Sequence, residues 1–231
     1  MMRRTPIWLT ICVIPVLALL IGLGVWQVQR LAWKERLISA AEAAAAIPPA
    51  PLVPVMALHD PEFRKVIVAC PGLATAPFVE LQTVHDGQPG VRLISACTPA
   101  DFPATFLIDR GFVVDAISAR PPVSASTEPV TVSAELRVVP PPGSMTPPPS
   151  NGRFFGRDAP AMARALNVGA PDPNTLYALT SSNPDWAALQ PSAPPAAFSN
   201  NHLGYAMTWF GLAIVLVGFW VAMVRRRMRA A

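Results

Sequence analysis

The sequence predicts a membrane-anchored α+β protein, in which two transmembrane helices flank one mostly antiparallel β domain with a short helix. An uncharged apolar stretch follows residues 1–6, and a second one runs from Leu203 to Val224. About 20 apolar residues in a helix match the hydrocarbon thickness of a bilayer. Between the two stretches lie short runs that are rich in Val, Ile, Phe and Thr and bounded by Gly, Pro and Asp, which is typical of strands.

The first apolar stretch extends from Ile7 to Trp26 and includes Pro15. A cleaved signal peptide is disfavoured, because the apolar run is longer than the core of such a peptide and no small-residue cleavage site follows it closely. We therefore expect an uncleaved anchor. The helix should continue beyond the membrane to about Ala46, since that segment is rich in helix-forming residues and ends before Pro48 and Pro49.

One face of this continuation carries Trp26, Arg30, Trp33 and Leu37. An arginine between two tryptophans suits the membrane interface and allows a cation–π contact. Anchoring at the membrane surface is favoured over a role in binding a partner.

The distribution of arginines predicts the orientation in the membrane. Arg225, Arg226, Arg227 and Arg229 follow the second apolar stretch, and positively charged flanks stay on the cytoplasmic side. Only six residues precede the first stretch, fewer than a mitochondrial presequence needs, so we expect the inner membrane of a bacterium. The expected organisation is a cytoplasmic N-terminus (1–6), a transmembrane helix (7–28), a periplasmic β-rich domain (29–201), a second transmembrane helix (202–224) and a cytoplasmic basic tail (225–231).

Five runs of the outer domain are predicted to be strands, namely Lys65–Ala69, Phe78–Val84, Val91–Ala96, Thr105–Val114 and Val130–Val139. Asp86-Gly87 between the second and third runs favours a tight hairpin. The segment from Pro140 to Pro149 is too rich in proline for a regular element, and Arg157–Leu166 is predicted to be one short helix with Asp158 near its start. An open sheet and a partial barrel are both compatible with this pattern.

The polar residues of the domain give little support to catalysis. His59, His85 and His202 are far apart, and the sequence contains no metalloprotease, hydrolase or phosphate-loop motif. Asp109-Arg110-Gly111 is explained more simply by an ion pair or an arginine at a sheet edge than by acid catalysis. We therefore expect no enzymatic activity. Outside the tails no basic surface indicates a nucleic-acid partner, whereas membrane lipid is an expected partner.

Two of the three cysteines, Cys70 and Cys97, each follow a predicted strand in what should be an oxidising compartment. A disulfide between them is compatible with the sequence, but spacing alone does not fix the connectivity. The third cysteine, Cys12, lies within the first apolar stretch.

The closing helix offers two faces. His202, Tyr205 and Trp209 share one face, and nearly opposite them Gly204, Gly211 and Gly218 recur every seven residues. Small residues let helices approach closely in a membrane, so the glycines are predicted to pack on Ala18 and Gly22 of the first helix. His202 and Trp209 would then point away from the helix pair. Two interpretations of His202 stay open: it binds a ligand, or it caps the helix among the lipid headgroups.

Four segments of the chain resemble the surfeit locus protein 1 family. They are residues 23–34 (LGVWQVQRLAWK), residues 106–113 (FLIDRGFV), Arg157-Asp158 with the helix that follows, and residues 200–210 (NNHLGYAMTWF). They occur in the order found in the family and extend over nearly the whole chain. The first and the last are the specific ones.

The resemblance implies a role in assembling haem-copper terminal oxidases, in which bacterial members bind haem a for delivery to subunit I. It places the haem-associated histidine at His202, as candidate axial ligand of the iron, and an aromatic partner at Trp209. Tyr205 completes the expected cofactor-binding residues. Haem a is expected to bind transiently, and subunit I and haem a synthase are the expected protein partners. The alternative is a scaffold that stabilises an oxidase subunit without any cofactor.

Overall fold

A computed structural model describes residues 7–192 and 200–229, so the predicted N-terminal segment 1–6 lies outside the described residues. The chain forms two compact units. One unit contains the first long helix as far as Ala40 together with the last long helix, and the other, which begins at Ala41, contains the β-rich domain.

Both terminal helices are long and apolar enough to cross a membrane. Helix α1 extends over Ile7–Ala45 without a break at Pro15, which confirms that the first span continues as a helix. Arg30 lies over the ring of Trp33, with 3.9 Å between the guanidinium carbon and the ring centroid, and confirms the expected cation–π contact. The second long helix, α4, covers His202–Arg229. These helices and the β domain between them confirm the predicted fold class.

The β domain contains one sheet of eight strands. The strands are β1 (Ala50–Pro51), β2 (Lys65–Pro71), β3 (Phe78–His85), β4 (Gln88–Cys97), β5 (Phe106–Val114), β6 (Pro129–Val138), β7 (Arg153–Phe154) and β8 (Asn174–Ala178). Their order in the sheet is β1-β2-β6-β8-β5-β4-β3-β7. The four longer pairings are antiparallel, whereas β1, β7 and β8 each add one short parallel pairing.

All five predicted strands are present, each with ends shifted by at most a few residues. The sequence pattern missed β1, β7 and β8. The first and second of these are two residues long. In β8 every residue is buried, so the alternation of apolar and polar side chains that marks a half-buried strand is absent.

Turns and short helices complete the domain. Asp86 and Gly87 have φ angles of 49° and 76° between β3 and β4, the left-handed pair that a tight two-residue hairpin needs. Helix α2 covers Leu52–Met56 and helix α3 covers Ala159–Ala165. The backbone N–H of Ala161 donates to the carboxylate of Asp158, which caps α3. The segment 140–149 has no helix or strand, as predicted.

The sheet curls on itself. Cys70 of β2 and Cys97 of β4 form a disulfide with their Cα atoms 5.3 Å apart, although β6, β8 and β5 lie between these two strands. Neighbouring strands are about 4.8 Å apart, so a flat sheet would hold β2 and β4 four spacings, or about 19 Å, from each other. The domain is therefore a partial barrel. Its concave core is filled by α2 and by apolar side chains of the curled strands, among them Val66, Val68, Phe106, Ile108, Val132, Leu136 and Leu176.

Candidate functional site

The two long helices pack against each other along one face of each helix. We call the residues of these two faces the seam. They are less exposed than their neighbours and are spaced alternately three and four residues apart. In α1 these are Thr10, Val13, Leu17, Leu20, Gly24 and Gln27, and in α4 they are His202, Ala206, Trp209, Ala213, Leu216 and Trp220. Such a spacing keeps one side of each helix facing its partner along the whole length of contact. Polar contacts occur at both ends of the seam, and they show that the helices are antiparallel.

At one end of the seam, His202 contacts Gln27. Nδ1 of the imidazole lies 2.7 Å from Oε1 of the glutamine side chain. Gln27 is buried and His202 is half-buried. Among the described residues, Nε2 of His202 has no hydrogen-bond partner.

At the other end of the seam, Nε1 of Trp220 donates to Oγ1 of Thr10 at a distance of 3.3 Å. Between the two ends, Gly24 lies against the ring of Phe210. A Cβ atom at Gly24 would approach that ring to 2.6 Å, so only glycine fits there without a shift.

The predicted helix interface was wrong. Around Gly204, Gly211, Gly218 and Gly22, a Cβ atom would meet nothing within 4 Å, so the glycine face of α4 is open. The opposite face makes the contact, and Ala206 and Ala213 are its buried small residues. This face is preferred because it gives Gln27 the partner His202 and gives Trp220 the partner Thr10. The polar atoms of these side chains would otherwise lack partners in an apolar surrounding.

The three predicted cofactor-binding residues are consequently not equivalent. His202 and Trp209 both lie in the seam and are half-buried. The prediction that they point away from the helix pair was therefore wrong. Tyr205 lies beside the seam and is 57% exposed. His202 begins α4, so its ring is at the end of the apolar run.

A second polar cluster occupies the β domain, far along the chain from His202. Asp109 of β5 is fully buried, and its carboxylate accepts from Nε of Arg92 at 2.6 Å and from Nη2 of Arg157. Its other oxygen accepts from the backbone N–H of Gly111. This outcome confirms the predicted ion pair at Asp109.

Tyr177 of β8 lies beside this cluster, with the guanidinium carbon of Arg157 4.7 Å from its ring centroid. Burial raises the pKa of the Tyr177 phenol, although the positive charge of Arg157 acts in the opposite direction. Burial would lower the pKa of Arg157, but the carboxylate of Asp109 outweighs it and the pKa is raised. The pairing with Asp109 therefore keeps the guanidinium of Arg157 charged despite its burial.

Arg110 follows Asp109 in the strand and occupies the other face of the sheet. It is fully buried, which rules out the edge position that the sequence also allowed. Its guanidinium donates to Oγ of Ser182 and to the carbonyl of Ala74, each at a distance of 3.0 Å. No carboxylate among the described residues pairs with it. Burial lowers its pKa to about 10.

Comparison with known proteins identifies the family. A sequence profile described as the SURF1 family matches residues 14–214. The chain belongs to the SURF1 family. Surfeit locus protein 1 of Mus musculus is 28% identical over 89% of this chain and 72% of its own length. The Homo sapiens protein of the same name is 29% identical over 90% of this chain and 74% of its own length. A SURF1-like protein of Drosophila melanogaster is 25% identical over 90% of this chain and 74% of its own length.

The SURF1 match includes both polar sites. Gln27, His202 and Trp209 lie within the matched residues, and so do Asp109 and its two arginines. It ends before Trp220, so the polar contact at the other end of the seam lies outside it.

Sequence reasoning missed Gln27. Its signal was present, because Gln27 and His202 are the polar residues that border two apolar runs, and antiparallel helices bring such borders together. The partners of Asp109 were missed as well. Arg92 and Arg157 are distant in sequence and meet Asp109 only through strand pairing and the position of α3.

Proposed function

We propose that this protein is a non-enzymatic assembly factor for a haem-copper terminal oxidase, which binds haem a transiently and assists its insertion into subunit I. Membership of the SURF1 family and the motif around His202 support this proposal. The observation that carries it is the imidazole of His202, which has one nitrogen engaged with Gln27 and the other without a hydrogen bond among the described residues.

The residues fit a haem in chemical terms. Imidazole nitrogen is a common axial ligand of haem iron, and the macrocycle is apolar. His202 begins an apolar helix, with the half-buried indole of Trp209 two turns further along and the exposed phenol of Tyr205 one turn further along. In this proposal His202 holds the iron, while Trp209 and Tyr205 supply aromatic contact. A bound haem would supply an iron centre that accepts the nitrogen ligand.

The proposal includes a location and partners. Two helices with the length and composition of membrane spans and a terminal run of arginines favour a bacterial inner membrane with the β domain in the periplasm. In that arrangement His202 lies at the periplasmic end of its helix. Subunit I would receive the haem and haem a synthase would provide it, while lipid surrounds the helices.

One observation favours a second function, a scaffold that holds an oxidase subunit without any cofactor. The face of α4 with Gly204, Gly211 and Gly218 is open, and small residues are what helix contacts in membranes use. A helix of the oxidase subunit would pack on this face.

A haem spectrum of the purified protein separates these two functions. The protein is co-expressed with the enzymes of haem a synthesis, purified in mild detergent, and compared with the variants His202→Ala and Trp209→Phe. Wild-type protein should carry haem, His202→Ala should lose or shift its absorbance, and Trp209→Phe should change it less, because an aromatic ring is retained. Wild-type protein without haem, or an unchanged spectrum in His202→Ala, would favour the scaffold.

A further inference from the structure

We infer that Gln27 is a positioning residue for His202: it fixes the imidazole in the form that carries its proton on Nδ1 and leaves the lone pair of Nε2 for a metal. The inference rests on the proposed function only for the identity of that metal centre. The geometry at Gln27 is independent of it.

The atoms in contact determine the tautomer. Oε1 of Gln27 has lone pairs and no hydrogen, so at 2.7 Å it accepts a hydrogen bond from the N–H of Nδ1 of His202. A neutral imidazole carries a single N–H, and Nε2 therefore has the free lone pair. A glutamine turned the other way would donate its amide N–H to Nδ1, which would leave the proton on Nε2 and prevent ligation there.

The surroundings make this contact effective. Gln27 is buried in the seam, one helical turn from the close contact of Gly24 with Phe210. Water competes weakly for a hydrogen bond in such a place, so the bond restrains the ring more than an exposed contact would. Histidines that bind metals are generally oriented in this manner, by an acceptor to which the second ring nitrogen donates its N–H.

The neutral amide matters as well as the oxygen atom. A carboxylate at the same position would favour an imidazolium ring with protons on both nitrogens, which has no lone pair to offer. Gln27 accepts a hydrogen bond from the N–H of Nδ1 without adding a negative charge. The side chain thus orients the ring and keeps it available as a ligand.

The test is the tautomer of His202 in the full-length protein without haem. Nitrogen-15 labelled histidine gives different two-bond correlation patterns in NMR spectra for a proton on Nδ1 and a proton on Nε2, and the His202→Ala variant assigns the signal among the three histidines. We expect the Nδ1 pattern in the wild type. Gln27→Leu should shift most of the signal to the Nε2 pattern, which free histidine favours, and Gln27→Glu should keep Nδ1 protonated. An Nε2 pattern in the wild type, or no change in Gln27→Leu, would overturn the inference.

A matched control and a second measurement complete the test. Gln29 is exposed on the same helix, and its side chain makes no hydrogen bond among the described residues, so Gln29→Leu should leave the tautomer unchanged. Ferric haem is then added to each detergent-solubilised variant, and its visible absorbance is followed. Gln27→Leu should weaken binding about 10- to 100-fold, the effect that is usual for loss of such a partner. Equal binding by Gln27→Leu and the wild type would contradict the inference, whereas absence of binding in the wild type with the expected tautomers would contradict the proposed function alone.

Discussion

At the scale of single residues, the β domain depends on one buried carboxylate. Asp109 is fully buried and lies between Arg92, which is also buried, and Arg157, which is partly exposed. Moving charges out of water is costly, so each of these groups is tolerable only while its partners are present. Replacing one carboxylate oxygen of Asp109 by an amide nitrogen should therefore have a large effect on stability.

We expect Asp109→Asn to lower the free energy of unfolding by about 3–5 kcal/mol, because two guanidinium groups would lose their counter-charge inside the domain. Urea denaturation of the full chain in detergent measures this loss. Asp101→Asn is the control, since Asp101 is exposed in a turn, and it should change the value by less than about 0.5 kcal/mol. Equal stabilities of the two variants would mean that the cluster contributes nothing.

A second carboxylate, Glu80, should make stability depend on pH. Burial alone would raise its pKa, but hydrogen bonds from Arg120 and Arg153 outweigh this effect and lower the pKa below 4.5. A carboxylate with a lowered pKa stabilises the fold above its ordinary pKa, and the contribution is lost as the pH falls through the folded value. The difference in thermal midpoint between the wild type and Glu80→Gln should thus be largest near about pH 6 and shrink below pH 4.5. A difference that is constant across this range would exclude the role assigned to Glu80.

At the scale of elements, the sequence predicted the existence of both long helices and of five strands, because hydrophobic length and composition are local properties. It predicted the wrong face of α4 for the contact between the helices. The predicted face carries glycines every seven residues, whereas the observed face carries His202 and Trp209. The observed contact depends on Gln27 and Thr10. They meet their partners, His202 and Trp220, only when the helices are placed side by side. Strand β8 escaped prediction because burial on both faces removes the alternation that identifies strands.

The observed seam gives a direct test by glycine substitution. Gly24→Leu should weaken packing of α1 on α4, since the ring of Phe210 occupies the space that a side chain would need. Gly22→Leu, in the same helix, should have little effect because a Cβ atom there meets nothing within 4 Å. Crosslinking between cysteines introduced at Thr10 and Trp220, with Cys12 changed to Ser, measures the packing. Reduced crosslinking in Gly22→Leu but not in Gly24→Leu would reverse the assignment of the seam.

At the scale of the whole molecule, the partial barrel combines strand pairing with one covalent closure. The sequence left an open sheet and a barrel as alternatives, and it left the pairing of Cys70 with Cys97 undecided. Both questions depend on how far the sheet curls, which is a sum of small twists over strands and has no local sequence signal. The disulfide shows that the sheet is strongly curled, because it joins strands that are not neighbours in the sheet.

Removal of this closure should destabilise the domain. The two cysteines are 27 residues apart, and a loop of that length corresponds to roughly 3.5 kcal/mol from restriction of the unfolded chain. The double variant Cys70→Ala and Cys97→Ala should lose about this amount in urea denaturation, and addition of a reductant should affect the wild type alone. Equal midpoints for the oxidised wild type and the double variant would show that the disulfide is dispensable.

The proposed orientation has its own test by reporter fusion. Alkaline phosphatase is active only in an oxidising compartment, so a fusion at Pro149 should be active and a fusion after Ala231 should be inactive. The terminal arginines are the reason for this expectation, because positively charged flanks of membrane helices generally stay on the cytoplasmic side. The opposite pattern of activity would place the β domain, and the outer end of α4 with His202, in the cytoplasm.

The contact between Gln27 and His202 also has a consequence for biosynthesis. The two residues are 175 positions apart, so at about 5–20 residues per second the ribosome adds His202 roughly 10–35 s after Gln27. During that interval the glutamine of the nascent chain has no imidazole to meet. The complete pair forms only after the β domain has been synthesised and the last helix has entered the membrane. An interrupted translation product therefore lacks the pair of Gln27 with His202, which would confine the proposed ligand binding to chains that have reached their final segment.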